Sequence, residues 1–303
     1  MKGPNMPENT SAVVVGIDGS DSALQAARWA GAVAAACGAP LHILHGMPSL
    51  GRNLTETAAA IQAAIMSYQR DSALIFLRAA ADAVHEDRPD LSVTTEASET
   101  PVDEALIEAS ATARLIVLGG QDVTGAAALI LGSTTLRVAT HADCPAVAFR
   151  GDDVTVSDKP IVVGVDNTAA GAGVLATAFE FADAMKVKLI VVRSWTTRAP
   201  AGDVTIPFLI DWEALEAAEW AALTELVDGW RQRYPDVDAE CVVETMSPAR
   251  ALLSHATGAQ LVVVGSRGRN ALAGLVLGST SMNLLHHSQV PVMVTRAHAP
   301  EGD

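Results

Sequence analysis

Short runs of aliphatic residues alternate along the chain with longer stretches in which apolar and polar residues recur with a helical period. A short, wholly apolar run is typical of a strand buried on both faces, and the longer amphipathic stretches are typical of the helices that cover such a sheet. The predicted strands lie near residues 12–17, 41–46, 91–96, 115–118, 145–149, 160–165, 188–193, 238–243, 261–264 and 291–295. The predicted helices lie near residues 21–37, 54–86, 101–112, 133–141, 169–185, 211–233, 248–257 and 279–288.

This pattern occurs twice in the chain. The run VVVGID at 13–18 is matched by IVVGVD at 161–166, 148 residues later. Further along, the two copies match at a spacing of 146 residues, as in Gly119 with Gly265, Gly132 with Gly278 and His141 with His287. A repeat of this length indicates two successive copies of one folding unit.

The alternation of strand and helix predicts an α/β fold with two tandem doubly wound domains, each a five-stranded parallel sheet with helices on both faces. We place the domains at residues 10–150 and 159–297, joined by a short polar linker. The last predicted strand of each copy begins at a proline, Pro145 or Pro291, which favours the edge of a sheet. We therefore expect these strands to pair, either in an intramolecular pseudo-dimer or in a homodimer.

The 303-residue chain carries a formal net charge of −15, and its isoelectric point is near 4.8. This acidity disfavours nucleic acid and anionic membranes as partners, since both attract basic surfaces. No apolar run is long enough to span a membrane, and residues 1–10 lack the apolar core of a signal peptide. We expect a cytoplasmic protein.

The cysteines and tryptophans offer little chemistry. Cys37, Cys144 and Cys241 are far apart, which argues against a disulfide framework and against structural zinc. We expect buried, unreactive thiols, with a partly exposed Cys144 as the alternative. Trp220 and Trp230 are expected to pack in the core rather than to stack on a base.

A glycine-rich segment follows the predicted strand at 261–264 and is the strongest candidate site. It contains Gly265, Ser266, Arg267, Gly268 and Arg269, and it is followed by Gly278, Ser279 and Thr280 where a helix is predicted to start. Backbone N–H groups of such a turn, the positive end of a helix and two hydroxyls together favour a phosphate. The segment lacks the spacing of a Walker-type loop and of a dinucleotide fingerprint.

Asp18 and Asp166 end the first strand of each copy, where strands of an open parallel sheet present their ligand-binding edge. There we expect Asp166 to face a ribose or a Mg²⁺ ion, with backbone groups near Arg193 and Ser194 beside an adenine. Simpler structural roles stay open. Gly265 and Gly268 are alternatively turn residues with positive φ, and the two aspartates, Ser279 and Thr280 are alternatively helix caps.

These residues resemble the universal stress protein family, whose ATP motif is Gly-x2-Gly-x9-Gly-Ser/Thr. Gly265, Gly268, Gly278 and Ser279 match this motif at every spacing, and the resemblance covers both copies. It implies an ATP-binding regulator of stress, dormancy or growth that dimerises through its last strand. It also implies pocket positions at Gly16 with Asp18 and at Gly164 with Asp166.

The first copy departs from that motif. It retains Gly119, Gly132, Ser133 and Thr134, but Asp122 replaces the second glycine, and Gly125 follows nearby. A carboxylate that faces phosphates is repulsive unless a metal lies between them. The resemblance therefore implies two unequal ATP sites, with Mg²⁺ as a possible companion.

No catalytic residue and no metal-ligand motif is predicted, so we expect a binding protein. The alternatives are a low-turnover ATPase or phosphotransferase that uses Asp166 and a metal, and a protein that binds cyclic AMP in the same cleft.

We predict that the second copy binds ATP more tightly than the first. A Gly268→Asp variant should therefore lose more total ATP affinity than a Gly132→Asp variant, because the added carboxylate repels phosphate at the stronger site. Titration calorimetry measures both losses. A larger loss from the first-copy substitution would contradict the prediction.

Overall fold

A computed structural model describes residues 11–47, 56–119, 132–166, 168–195, 211–266 and 277–296. The chain divides into two compact units between Val156 and Ser157. The first unit contains β1 (Val13–Gly16), α1 (Asp21–Ala36), β2 (Leu41–Gly46), α2 (Glu56–Asp87), β3 (Val93–Ser98), α3 (Val102–Ala109), β4 (Leu115–Gly119), α4 (Ser133–His141) and β5 (Ala146–Phe149). The second contains β6 (Ile161–Val165), α5 (Ala169–Met185), β7 (Leu189–Ser194), α6 (Trp212–Arg233), β8 (Ala239–Glu244), α7 (Pro248–Ala256), β9 (Leu261–Gly265), α8 (Ser279–His287) and β10 (Val292–Thr295).

Each unit contains five parallel strands with the same internal order. The order is β3-β2-β1-β4-β5 in the first unit and β8-β7-β6-β9-β10 in the second. The register pairs Val13 with both Leu41 and Leu115, so β1 lies between β2 and β4. In the first unit, the chain adds strands on one side of β1 as far as β3 and then continues on the other side of β1 with β4. In the second unit, the same change of side occurs at β6. This arrangement confirms the predicted doubly wound α/β fold, and it creates a switch point at which ligands of such sheets bind.

The sheets are aliphatic and their covering helices are rich in small residues. Every residue of β1 is buried. The alanines of α1, among them Ala23, Ala26 and Ala30, are buried against the strands. Small side chains let a helix approach a sheet closely, and larger residues such as Trp29 then fill the remaining space against Phe149.

Helix α3 ends earlier than the predicted residue 112, and its C-cap is Ser110. The buried Ser110 hydroxyl donates to the carbonyl of Ile107 at 2.6 Å and accepts the N–H of Asp143 at 2.8 Å. These bonds tie the end of α3 to the segment before β5. A serine that bonds to nearby backbone groups competes with the helix and favours its end.

One tryptophan prediction is wrong. Trp230 stacks against Phe179 and Tyr234, as a packed aromatic residue would. Trp220 instead retains 43% of its accessible surface. Helix α6 has 22 residues and spans roughly 33 Å. The neighbouring strand β8 has six residues and spans about 20 Å. The last turns of the helix cover this strand, and the first turns, which include Trp220, extend past it.

Among the described residues, no helix is both long and apolar enough to cross a membrane.

Among the described glycines of the first unit, Gly46 has the shortest distance from an added Cβ atom to neighbouring backbone. A Cβ atom there would overlap the backbone N and Cα of Val102 at the start of α3. We predict that Gly46→Ala lowers the free energy of unfolding of this unit by about 2 kcal/mol or more, because backbone must move. Urea unfolding, with hydrogen exchange of β2 and α3 to assign the change to this unit, measures the effect.

Gly229→Ala is the matched control for this substitution. Gly229 lies within α6, and a Cβ atom there meets nothing within 4 Å. It should stabilise the second unit by up to about 1 kcal/mol, since alanine is the better helix former. Equal destabilisation by both substitutions would contradict the packing argument.

Candidate functional site

The first turn of α8 is hydrogen-bonded to the end of β9, which is itself bonded to the end of β10. The N–H of Gly278 donates to the carbonyl of Ser266 at 2.8 Å, and the N–H of Ser266 donates to the carbonyl of Thr295 at 2.7 Å. The buried hydroxyl of Ser281 donates to the carbonyl of Gly265 at 2.6 Å. These bonds fix the start of α8 at the carboxyl end of β9.

The start of α8 has no side-chain cap. Its N-cap is Gly278, with φ −70° and ψ 152°. Within the described parts of the chain, the N–H groups of Ser279, Thr280 and Ser281 have no hydrogen-bond acceptor, nor do the hydroxyls of Ser279 and Thr280 have a partner. Unpaired amides at the positive end of a helix favour an anion.

Two of the simpler roles considered for this segment do not apply. Ser279 and Thr280 are the first two residues of the helix and not its cap, because the residue with non-helical backbone angles is Gly278. Gly265 is the last residue of β9 and does not have positive φ. A left-handed turn therefore does not explain why residue 265 is a glycine.

Asp18 and Asp166 have the same local role in both units, and neither is a helix cap. The N-cap of α1 is Ser20, whose hydroxyl accepts the N–H of Ala23. Oδ1 of Asp18 accepts the N–H of Ser20 at 2.9 Å and its hydroxyl at 2.6 Å. The aspartate thus orients the cap residue, and the alternative that Asp18 itself caps the helix does not apply.

In the second unit, Thr168 caps α5 and Oδ1 of Asp166 accepts its N–H at 3.0 Å and its hydroxyl at 2.5 Å. Gly171 permits this arrangement, because a Cβ atom there would lie 2.5 Å from the carbonyl oxygen of Asp166. Oδ1 of Asp166 is therefore occupied, whereas Oδ2 has no bond to any described residue.

Gly16 and Gly164 are explained by packing. A Cβ atom on Gly16 would lie 2.7 Å from Cδ1 of Leu106 on α3, and one on Gly164 would lie 2.7 Å from Cδ1 of Leu252 on α7. These two glycines let equivalent helices approach the first strand of each unit.

The first unit reproduces part of the α8 geometry at α4. Gly132 is the N-cap, without a side-chain bond, and Ser133 and Thr134 begin the helix. Among the described residues, a Cβ atom on Gly132 would meet only the hydroxyl of Thr135, at 3.8 Å, so their packing does not require glycine there. Gly119 ends β4 close to α1, since its Cβ atom would lie 3.0 Å from the N of Ala23.

The remaining predicted contacts, at Gly125, Arg267, Gly268 and Arg269, lie outside the described residues, as does Asp122. The described contacts bring together Asp18, Ser20, Ala23 and Gly119 in the first unit. In the second unit they bring together Gly265, Ser266, Gly278 and Ser281.

Sequence reasoning missed an ion pair at the end of β7. The side chain of Arg193 is 5% exposed, and its Nη2 lies 2.5 Å from Oε2 of Glu219 on α6. Beside it, the hydroxyl of Ser194 donates to the carbonyl of Met246, and the rings of Trp195 and Trp212 are 6.2 Å apart. Predicted backbone contacts of Arg193 and Ser194 with adenine stay a prediction, but the guanidinium is occupied by Glu219.

The equivalent strand of the first unit has different chemistry at its end. His45 takes the position of Arg193, and its Nδ1 lies 2.9 Å from the carbonyl oxygen of Ile17. The ring of Phe76 on α2 covers Gly19, whose φ is +85° and whose Cβ atom would lie 2.7 Å from that ring. The 148-residue repeat aligns His45 with Arg193, but it does not reveal the partner of either side chain.

The thiols do not form a reactive centre. Burial raises the pKa of Cys144 to about 12, so the thiol stays protonated at neutral pH. Burial also raises the pKa of Cys241. No group of three or more His, Cys, Asp or Glu side chains able to hold a metal ion occurs among the described residues.

Comparison with known proteins identifies relatives over nearly the whole chain. The model of the universal stress protein family matches residues 10–150 and again 159–296. A universal stress protein of Mycobacterium tuberculosis is 34% identical over 298 residues, which are 96% of this chain and 98% of that protein. One from Mycolicibacterium smegmatis is 32% identical over 289 residues, which are 94% of this chain and 96% of that protein.

A solved structure has the same fold. The crystal structure of a universal stress protein from Archaeoglobus fulgidus superposes with a TM-score of 0.68 at 18% sequence identity. The match covers 95% of this chain and 98% of that one.

The bond between Ser281 and Gly265 yields a prediction on stability. Ser281→Ala should lower the free energy of unfolding of the second unit by about 1 to 3 kcal/mol, because the half-buried Gly265 carbonyl loses the hydroxyl that donates to it. Ser279→Ala, at an exposed hydroxyl two residues earlier in the helix, should change this free energy by less than about 0.5 kcal/mol. Urea unfolding with hydrogen exchange of α8 compares the two, and similar values would contradict the assignment.

Proposed function

Because the chain belongs to the universal stress protein family, we propose that it binds ATP and acts as a nucleotide-dependent regulator of stress, dormancy or growth. The observation that carries the proposal is the open start of α8, fixed against β9 at Gly278 and without a side-chain cap. Its unpaired amides are donors that phosphate oxygens accept.

The hydrogen-bond donors at the start of α8 fit the phosphates of a nucleoside triphosphate. Ser279 is exposed and Thr280 is half-buried at the start of α8, so both hydroxyls are accessible to a ligand. Together with the amides of the first turn they provide several donors and no carboxylate. The predicted Arg267 and Arg269 would add positive charge to the same segment.

Asp166 is the residue proposed to bind the ribose or Mg²⁺. Thr168 occupies Oδ1 and fixes the carboxylate, while Oδ2 has no partner among the described residues. A fixed carboxylate oxygen accepts a bond from a ribose hydroxyl or ligates Mg²⁺. In this proposal Asp18 has the same role in the first unit, beside Gly119, Gly132 and Ser133.

The proposed mode of action is occupancy and not turnover. A ligand that binds one conformation better than another shifts the population toward it, and the shift can be sensed by a partner. Pairing of the last strands, within one chain or between two, and a cytoplasmic location stay predictions that accompany this proposal.

A paired substitution tests the phosphate contacts. We expect Ser279→Ala/Thr280→Val to weaken ATP binding at the stronger site by about tenfold or more, since hydrogen bonds to charged groups contribute about 1.5 to 3 kcal/mol each. The matched variant Ser133→Ala/Thr134→Val should have a smaller effect. Titration calorimetry with ATP, and native mass spectrometry of the nucleotide that co-purifies, measure affinity and occupancy.

Three outcomes would redirect the proposal. Unchanged ATP affinity in both variants would exclude α8 and α4 as phosphate sites. Displacement of ATP by cyclic AMP at lower concentration would favour cyclic AMP as the ligand. Sustained Mg²⁺-dependent phosphate release that Asp166→Asn abolishes without loss of binding would favour the enzyme.

A further inference from the structure

A groove lies on the second unit between α7 and α8. Its volume is about 390 Å³, and it is lined by Ser247, Ala249, Arg250, Leu253, Asn283 and His287. None of these residues belongs to the predicted nucleotide site. Arg250, Asn283 and His287 are exposed side chains that end in nitrogen donors, while Leu253 and Ala249 are half-buried.

The repeat shows what the first unit has at this place. Helix α3 packs against α4 as α7 packs against α8. Arg137, the counterpart of Asn283, lies 2.6 Å from Oδ2 of Asp103 and 3.5 Å from Oε1 of Glu104. In the first unit the chain thus supplies both a cation and the two carboxylates that pair with it.

The second unit lacks those carboxylates, and its arginine lies on α7 in place of an acidic residue, since Asn283 replaces Arg137 on α8. Ala249 stands in place of Asp103, and Arg250 stands in place of Glu104. The first turn of α3 carries two acidic residues and that of α7 carries none. The guanidinium of Arg250 has no ion-pair partner among the described residues, and no acidic residue lines the groove, so its lining is positive on a chain of net charge −15.

We propose that the groove between α7 and α8 binds an acidic segment of a partner protein through Arg250. The first unit indicates the matching chemical group, since the carboxylates of Asp103 and Glu104 pair with Arg137 between the equivalent two helices. Arginine binds a carboxylate through two parallel N–H bonds. Ser247, Asn283 and His287 offer further donors along the groove, and Leu253 offers an apolar surface to the methylenes of a glutamate or to a leucine.

An extended acidic peptide suits this surface better than a small anion does. The groove is open and within the range of volumes that bind ligands of several residues or of drug size. Leu253 lies among the polar side chains that line it, and an inorganic ion makes no use of an apolar surface. The occupant is therefore a peptide with carboxylates and an apolar side chain.

The first test exchanges the residues of the two units in the full-length protein. The probe is a fluorescein-labelled peptide Glu-Asp-Leu-Glu-Asp, with the amide peptide Gln-Asn-Leu-Gln-Asn as its neutral counterpart. The triple variant Ala249→Asp/Arg250→Glu/Asn283→Arg places the residues of the first unit in the groove. We expect it to bind the acidic peptide at least about tenfold more weakly by fluorescence anisotropy, as loss of a charge-assisted contact predicts.

Arg78→Glu is the matched control. Arg78 lies on α2 with its side chain 85% exposed, and its substitution changes the net charge by the same amount as the triple variant. It should leave peptide binding within about twofold. ATP titration should be unchanged in both variants, which separates this proposal from the proposed function.

The reciprocal exchange is the sharper test. Asp103→Ala/Glu104→Arg/Arg137→Asn should create a second groove, so that the chain binds two acidic peptides in place of one. If a triple variant fails to fold by circular dichroism, Arg250→Gln alone, at an exposed side chain, should still weaken peptide binding.

Any of four results would overturn the proposal. The first two are equal affinities for the acidic and the neutral peptide, and equal losses of peptide affinity in Arg78→Glu and in the groove triple variant. The third is an unchanged peptide affinity in Arg250→Gln. The fourth is a change in the binding of inorganic phosphate alone in the groove variants, which would indicate a small-anion site.

Discussion

Backbone carbonyls at the end of a buried strand must find donors, and this constraint fixes the start of α8. The carbonyls of Gly265 and Ser266 receive theirs from the hydroxyl of Ser281 and the N–H of Gly278. Because both donors belong to the first turn of one helix, that turn must sit at the end of β9. The other N–H groups of that turn have no acceptor among the described residues, so the start of the helix is open at the carboxyl end of β9. The candidate site is thus a consequence of satisfying two carbonyls.

Much of this architecture could be predicted from the sequence, because apolar runs and their repetition report burial directly. The positions of β1 and β9, the helix starts at Ser133 and Ser279 and the two-unit organisation all follow from such patterns. What could not be predicted depends on which side chains meet across space. The pair Arg193 and Glu219 is separated by 26 residues and joins a strand to a helix, and nothing in the period of α6 marks Glu219 as different from its neighbours.

Glycine illustrates the same limit. Gly16, Gly164 and Gly278 look alike in the sequence, each beside a strand or a helix start. Gly16 and Gly164 make room for leucines of α3 and α7, while Gly278 is a cap that carries no side chain. Composition cannot separate these roles, since each depends on what lies within a few ångströms of a missing Cβ atom. For the same reason the caps of α1 and α5 lie two residues after the aspartates that were considered as alternative caps.

The difference between the α3–α4 surface and the α7–α8 groove also bears on symmetry. An assembly of identical single-domain chains presents every surface feature as many times as it has subunits, because its symmetry operations copy each one. A chain that contains two diverged copies is free of that requirement. The internal ion pairs of Arg137 exist on one copy and the open Arg250 on the other. The two units of one chain therefore present different chemistry at equivalent positions, which the identical chains of a symmetric pair cannot do.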